Sequence, residues 1–395
     1  MSPQAKPELA HNIDPRYIPY ASNMLATKFF HWSYVKILKP VLFRFDPENM
    51  HDFFCSVGLF LGRYGFTRRL TSIFFEYRHP MLEQTVLGMK FSNPIGLAAG
   101  FDKNASLTGI MPDVGFGFEE VGSITGESCD GNPKPRLWRL PKSKSLLVYY
   151  GLKNDGCESI AARLKNLKFR FPIGTSIAKT NSQSTVDMQA GIADYVKSFK
   201  AFVSIGDYFT INVSCPNAYG GEPYSSPERL DLLLSATDQI ETKKPIFLKI
   251  SADTPPEDLE RLVEVTDRHR VQGFIISNLA KNRDNHLLDR DEIRGLDNGG
   301  ISGKPVENLA NELISRVYQM TRGRYVIMGC GGVFTAEDAY KKIRNGASLV
   351  QLITGMIYEG PQMIGQINRG LAELLKRDGF KNISEAVGID RKANL

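Results

Sequence analysis

Residues 246–278 read IFLKISADTPPEDLERLVEVTDRHRVQGFIISN. Two short apolar runs, IFLKISA (246–252) and GFIISN (273–278), flank a charged amphipathic stretch over 256–268. Apolar runs of that length without alternation predict strands buried on both faces, and a helix between two of them predicts a parallel βαβ unit. The same rhythm runs from Asn93 to the C-terminus. Further strand candidates are PIGLAAGF (94–101), EEVGSIT (119–125), PIGTSIA (172–178), FTINVSC (209–215), YVIMGCGG (325–332) and LVQLITG (349–355). Further helix candidates span 187–200, 227–242, 305–321, 335–345 and 361–376. Eight such units over about 280 residues predict a (β/α)8 TIM barrel. A doubly wound sheet is the structural alternative, and the lack of GxGxxG after the first run favours the barrel.

The 395 residues exceed one ordinary compact domain, and 42% hydrophobic with 23% charged residues excludes a disordered chain. The pattern divides into a polar tail over 1–21, a helical segment over 22–75 and the barrel over 76–395. In the second segment Phe30, Tyr34, Ile37, Leu38, Val41 and Phe45 recur at helical spacing, with Pro40 expected to break or kink the helix. A second helix starts where Asp46 can cap it, with Pro47 and Glu48 in its first turn. Met50, Phe53, Phe54, Val57, Phe60, Leu61 and Tyr64 then form an apolar stripe, fit for a core or a membrane interface.

Residues 1–80 hold ten Lys and Arg against six Asp and Glu, so +4 of the net +6 lies in the first fifth. A basic, apolar segment points to an anionic membrane surface rather than to nucleic acid. No run of about 18 apolar residues predicts a transmembrane helix. The first 20 residues resemble neither a secretory signal nor an Arg-rich transit peptide. Cys55, Cys129, Cys157, Cys215 and Cys330 form no CxxC pair and no metal-ligand spacing, which points to a reducing compartment and no metal.

In a (β/α)8 barrel the chemistry lies at the C-terminal strand ends. That rule selects Gly100, Asp102, Lys103 and Asn104; Ser123 and Thr125; Asn212, Ser214, Cys215 and Asn217; Lys249; and Ser277 with Asn278. The glycine-rich turns GCGG and TG of the last two strands, with GGISGKP at 299–305, predict a phosphate site. A lysine aimed into a barrel needs an anion; Asp102 can serve Lys103, whereas no acidic residue lies beside Lys249 in sequence. The asparagine amides suit the C=O and N–H edge of a pyrimidine or a flavin. Cys215 has the chemistry of a nucleophile, a metal ligand, a general base or a small hydrophobe, and no histidine falls at a predicted strand end.

NPIGLAAGFDKN, EEVGSIT, GNPKPRLWRLP, INVSCPN, GGISGKP, GCGGV and GASLVQLITGMIYEGP occur in this order between Asn93 and Asp390, and together resemble the dihydroorotate dehydrogenases. LFRFDPENMHDF resembles the appendage of the membrane-associated, quinone-linked class. The resemblance implies an FMN-dependent oxidation of (S)-dihydroorotate to orotate in de novo pyrimidine biosynthesis, with a membrane quinone as acceptor. It implies FMN held by Ala99, Gly100, Lys103, Ser123, Ser176, Asn212, Lys249, Ser277, Gly300, Gly332, Ile353 and Thr354. Lys103, Tyr150, Gly151, Leu152, Asn212, Asn217 and Asn278 would hold the pyrimidine. Cys215 would take the C5 proton, and Lys249 would stabilise the reduced flavin.

The same resemblance implies a monotopic association of 22–75 with the cytoplasmic face of a bacterial inner membrane. There it would open a tunnel to the flavin with Arg139 near the quinone head, and AYGGEPYSS (218–226) would be a mobile lid. Four positions depart from the family's pattern. Cys215 stands where the quinone-linked class usually has serine, Val148 and Ser176 where it has asparagines, and Leu279 where it has a hydroxyl residue. These departures keep two alternatives open: another dihydropyrimidine as substrate, or a soluble acceptor such as fumarate.

Overall fold

A computed structural model describes residues 23–391 apart from Glu222. The tail expected over 1–21 lies outside the described residues. Eight parallel strands close a barrel: β1 (Ile95–Leu97), β2 (Phe118–Ile124), β3 (Ile173–Ile177), β4 (Tyr208–Asn212), β5 (Ile246–Ile250), β6 (Gly273–Ile276), β7 (Val326–Cys330) and β8 (Leu349–Leu352). Each pairs with its neighbour in chain order, and β8 pairs with β1. The register sets Asn212 beside Lys249 and Lys249 beside Ile275. All eight strand expectations fall on these strands. The helix expectations fall on Met188–Ala201, Pro227–Asp238, Pro256–Thr266, Glu307–Met320, Ala336–Arg344 and Met363–Arg377.

The barrel closes because large rings face glycines. A side chain at Gly96 would run into the Phe118 ring, one at Gly174 into Tyr208, and one at Gly273 into Phe247. Rings on β2, β4 and β5 thus occupy space left by β1, β3 and β6, and they pack with Ile275, Met328 and Leu349 into a filled interior. A hairpin of Gln84–Val86 and Met89–Phe91 adds Val86 and Phe91 to this cluster.

Among the described residues, three helices of 11 residues or more precede the barrel: α1 (Asn23–Ser33), α2 (Pro47–Arg63) and α3 (Gly65–Phe75). The Asp46 carboxylate accepts the Asn49 N–H at 2.8 Å, as the capping pattern predicts. α1 ends at Ser33, before Pro40, which stands in the first turn of a later short helix. A π-helical turn, Tyr34–Leu38, and a short helix, Lys39–Leu42, carry the chain on, and Tyr34 donates to the Ile357 carbonyl at 2.7 Å.

The second stripe is divided: Met50, Val57 and Leu61 turn partly inward, while Phe53, Phe60 and Tyr64 are exposed. Of 19 large hydrophobic residues exposed among the described residues, 13 lie between Phe29 and Leu70, including Phe53, Phe60 and Phe66. No helix among the described residues is long and apolar enough to cross a membrane.

GGISGKP, read from sequence as a glycine-rich turn beside the last two strand ends, is in part a strand. Gly300–Ile301 forms the edge of a three-stranded antiparallel sheet with Ser145–Val148 and Leu137–Leu140. Glycines read locally give a turn; here they admit the close approach of Leu279 and Pro216 to Gly300.

Candidate active site

A cavity of about 200 Å³ opens at the C-terminal strand ends. Its wall includes Ala99, Gly100 and Lys103 after β1, Ser123 on β2, Asn212, Cys215 and Asn217 from β4 onward, and Lys249 on β5. Ser277 and Asn278 after β6, Gly331 and Gly332 after β7, and Ile353 and Thr354 after β8 complete the ring. Tyr150, Gly151 and Leu152 approach from beyond the antiparallel sheet. Of the residues expected at cofactor and substrate, Ser176 and Gly300 stand behind this wall; of those chosen by strand-end position alone, Asp102, Asn104, Thr125 and Ser214 are also absent from it. The Ser176 hydroxyl lies 2.8 Å from that of Ser123, which accepts the Asn212 amide N–H at 2.8 Å. Gly300 backs onto Leu279, while Ser302 and Gly303 from the same segment reach the cavity.

Lys249 has an acidic neighbour, contrary to the expectation from sequence. Glu120 on β2, fully buried, holds a carboxylate oxygen 3.8 Å from its Nζ. The other oxygen accepts from Thr210 at 3.0 Å and Gln351 at 3.1 Å. Sequence adjacency missed this because the barrel brings β2 and β5 to face each other across its interior. Asp102 does not serve Lys103. Its carboxylate accepts the N–H groups of Ser106 and Leu107 at 2.8 and 2.6 Å, closing the turn after β1. The Lys103 ammonium instead sits 3.9 Å from the centre of the Tyr150 ring and 3.5 Å from His51 Nδ1. Burial drives its pKa down to about 8, against Cys55 and Asp52, which favour the charge.

His51 is a residue that strand-end reasoning could not select, because it comes from α2. Its Nε2 lies 2.8 Å from the Phe101 carbonyl oxygen. The signal was in the stripe: Met50, Phe54, Val57 and Leu61 share a helix face with His51, and all five line a second cavity of about 250 Å³. That cavity lies between the N-terminal helices and the barrel. Its wall shares His51, Phe101, Leu137, Leu146 and Ile357 with the first cavity. Arg139 also lines it, donating to the Phe45 carbonyl at 2.8 Å, its guanidinium 4.6 Å from the Phe43 ring centre.

The asparagines are already oriented. Asn278 donates its amide to the Ser214 carbonyl at 2.7 Å, Asn217 to the Val148 carbonyl at 2.8 Å, and Asn132 to the Asn217 carbonyl at 3.0 Å. The position where an asparagine was missed, Val148, thus supplies its main-chain oxygen. Leu279 lines the cavity with an apolar side chain. Among the described residues the buried hydroxyls of Tyr150 and Ser277 have no protein partner. Gly331 and Gly332 adopt φ of +108° and +75°, a left-handed run that turns main-chain groups toward the cavity without side chains in the way.

The dihydroorotate dehydrogenase family model matches residues 81–375. A dihydroorotate dehydrogenase (quinone) of Gloeobacter violaceus is 37% identical over 354 residues, covering 89% of this chain and 98% of the relative. Another, of Haloarcula marismortui, is 40% identical over 356 residues, covering 90% of this chain and 98% of the relative. A DHODH from Eimeria tenella, solved in complex with ferulenol, superposes with a TM-score of 0.78 at 29% identity, over 88% of this chain and 96% of its own. Match, lengths and barrel agree: the chain belongs to the dihydroorotate dehydrogenase family.

Proposed function

We propose that the barrel mouth binds FMN with dihydroorotate against it, and that Cys215 accepts the proton from substrate C5. The reaction is the family's: oxidation of dihydroorotate in pyrimidine biosynthesis with a quinone as acceptor. The observation that carries the reading is the meeting of Cys215, Lys249 and three asparagine amides in one cavity at the strand ends. The donor set suits a flavin. Ser277 offers an unpartnered buried hydroxyl, Lys249 a buried cation, and the Gly331–Gly332 turn open backbone for a phosphate.

Ala99, Gly100, Lys103, Ser123, Asn212, Lys249, Ser277, Gly332, Ile353 and Thr354 would hold the cofactor, with Ser176 bracing Ser123 and Gly300 letting Leu279 close the wall. FMN, when bound, would supply the acceptor for a hydride from substrate C6 and the relay of its electrons to the quinone. Loss of that hydride and of the C5 proton leaves the C5–C6 double bond of orotate. Lys103, Asn212, Asn217 and Asn278 fix the ring so that its C5–H faces the Cys215 sulfur, with Tyr150, Gly151 and Leu152 closing the far side. Lys249 supplies positive charge where the oxidation deposits negative charge.

The second cavity is the quinone's route, with Arg139 at the head group. The exposed aromatic face of residues 29–70 rests on a membrane surface, the cytoplasmic face of a bacterial inner membrane, and this segment is the appendage preceding a barrel unit over 76–395. Segment 218–226 closes over Cys215 while substrate is bound; Glu222 lies outside the described residues.

Steady-state quinone reduction tests the reading, with dihydroorotate and dihydrouracil compared. Turnover strongly favouring dihydroorotate is expected, because the half-buried Lys103 ammonium selects a carboxylate. Equal turnover of the two rings would contradict it and give weight to the apolar Val148 and Leu279 as determinants of a different substrate.

A further inference from the structure

Next to the first cavity, and sharing Leu152, Asn212 and Cys215 with it, lies a third and very small pocket that the mechanism leaves unused. Lys179, just past β3, lines it together with Cys215, Tyr195 and Tyr224. Lys179 is 3% exposed. Its ammonium donates to the Tyr219 carbonyl at 2.7 Å. A buried lysine without an anion is costly. Asp194, the nearby carboxylate, is already engaged by the Thr180 and Gly126 N–H groups and the Thr180 hydroxyl.

We propose that Lys179 is a positioning residue whose buried ammonium holds Cys215 as a thiolate, ready to accept the substrate proton. The inference rests on the reading of Cys215 as the base. Burial lowers the Lys179 pKa from the ordinary lysine value, and Cys215, ahead of Asp194, opposes that fall. The attraction is mutual, so the charge on Lys179 favours the charge on sulfur. The other titratable groups around Cys215 do not replace it. Tyr195 donates to the Asn212 carbonyl and Tyr224 to the Met188 carbonyl, both at 2.8 Å, so both phenols are committed as neutral donors. Lys103, Lys249 and His51 line the first cavity and not this small pocket.

A cation in this place matters more to a thiol than to a hydroxyl. A thiol titrates near about 8.5, close enough to neutrality for one fixed charge to change its majority form. Lys179 therefore gives a physical reason why cysteine serves at a position where the quinone-linked class usually carries serine.

The test measures alkylation of Cys215 by iodoacetamide across pH in the full-length flavin-bound protein, read by mass spectrometry of the Cys215 peptide. The wild-type midpoint is expected below about 8.5. Lys179→Met should raise it by about one unit or more, leaving roughly tenfold less thiolate near neutrality, and Lys179→Arg should keep it low. An unchanged midpoint in Lys179→Met would overturn the proposal. So would a wild-type midpoint at or above the ordinary thiol value, which decides the matter even if Lys179→Met fails to fold or to retain flavin. The pH profile of substrate-driven flavin reduction should move with the alkylation midpoint. A shifted midpoint without a shifted rate profile would leave the thiolate pair standing and remove the base role itself.

Discussion

Cys215 sits three residues beyond the end of β4, half-buried between Asn212 and Asn217. Replacing it with alanine removes the proposed proton acceptor without touching the residues assigned to the cofactor. Cys215→Ala should keep its flavin and slow substrate-driven flavin reduction by about a hundredfold or more, the usual contribution of a positioned base. Stopped-flow absorbance checks this; an unchanged rate would remove the base role. Lys103 carries a second prediction. Its pKa, lowered to about 8 by burial, places it near half-protonation in mildly alkaline solution. An anionic ligand favours the ammonium, so orotate binding at pH 8.5 should take up a proton, and affinity should fall as pH rises through this range. Calorimetry in buffers of different ionisation enthalpy measures the proton count, and binding without uptake would contradict the assignment. At this scale the sequence showed most of the site, because strand ends can be read from the pattern of runs. It hid Glu120 beside Lys249 and His51 beside Lys103, whose proximity depends on barrel closure and helix docking rather than on neighbours in the chain.

The helices before the barrel are joined to the site by a buried ion pair. Arg136 donates to the Glu48 carboxylate through Nε at 3.0 Å and Nη2 at 2.8 Å, and both side chains are buried. Arg136 also donates to the Asn132 carbonyl at 2.7 Å, and Asn132 in turn holds Asn217. Burial pushes the Glu48 pKa up, but Arg136, Lys134 and Lys153 outweigh it and hold it below the ordinary value. Its stabilising effect is thus present above the unfolded-state pKa and lost as pH falls through the lower folded-state one. Glu48→Gln leaves Arg136 buried without its counter-charge. A loss of about 3 kcal/mol is expected, seen as a lower unfolding midpoint, with quinone turnover reduced more than flavin reduction. An unaltered midpoint would show that the pair does not hold α2 in place. The apolar face has its own test. Phe53→Ser, Phe60→Ser and Phe66→Ser combined should weaken binding to anionic vesicles by about a thousandfold or more, since each phenyl withdrawn from lipid is worth roughly 1.5–3 kcal/mol. Vesicle flotation reads the outcome, and undiminished binding would assign that face elsewhere. The amphipathic stripe was legible in sequence; whether it faced a core or a membrane was not, because periodicity records a stripe and not what covers it.

Over the whole chain, eight buried runs alternating with helices were enough to specify the barrel, since parallel strands covered on both faces leave few other closures. The pairing of rings with glycines across β1 to β6 was not readable, because it joins residues that only the closed register brings together. The same closure carries the proposed chemistry from separate strands into one mouth, where the Cys215 sulfur, the buried Lys249 and three asparagine amides line one cavity. The measurement that tests this most directly is the visible spectrum of the purified protein, recorded without oxygen before and after dihydroorotate is added. The account predicts an oxidised flavin spectrum that bleaches on addition and returns when a quinone is supplied. A protein that carries no flavin, or a flavin that stays oxidised at saturating dihydroorotate, would contradict it.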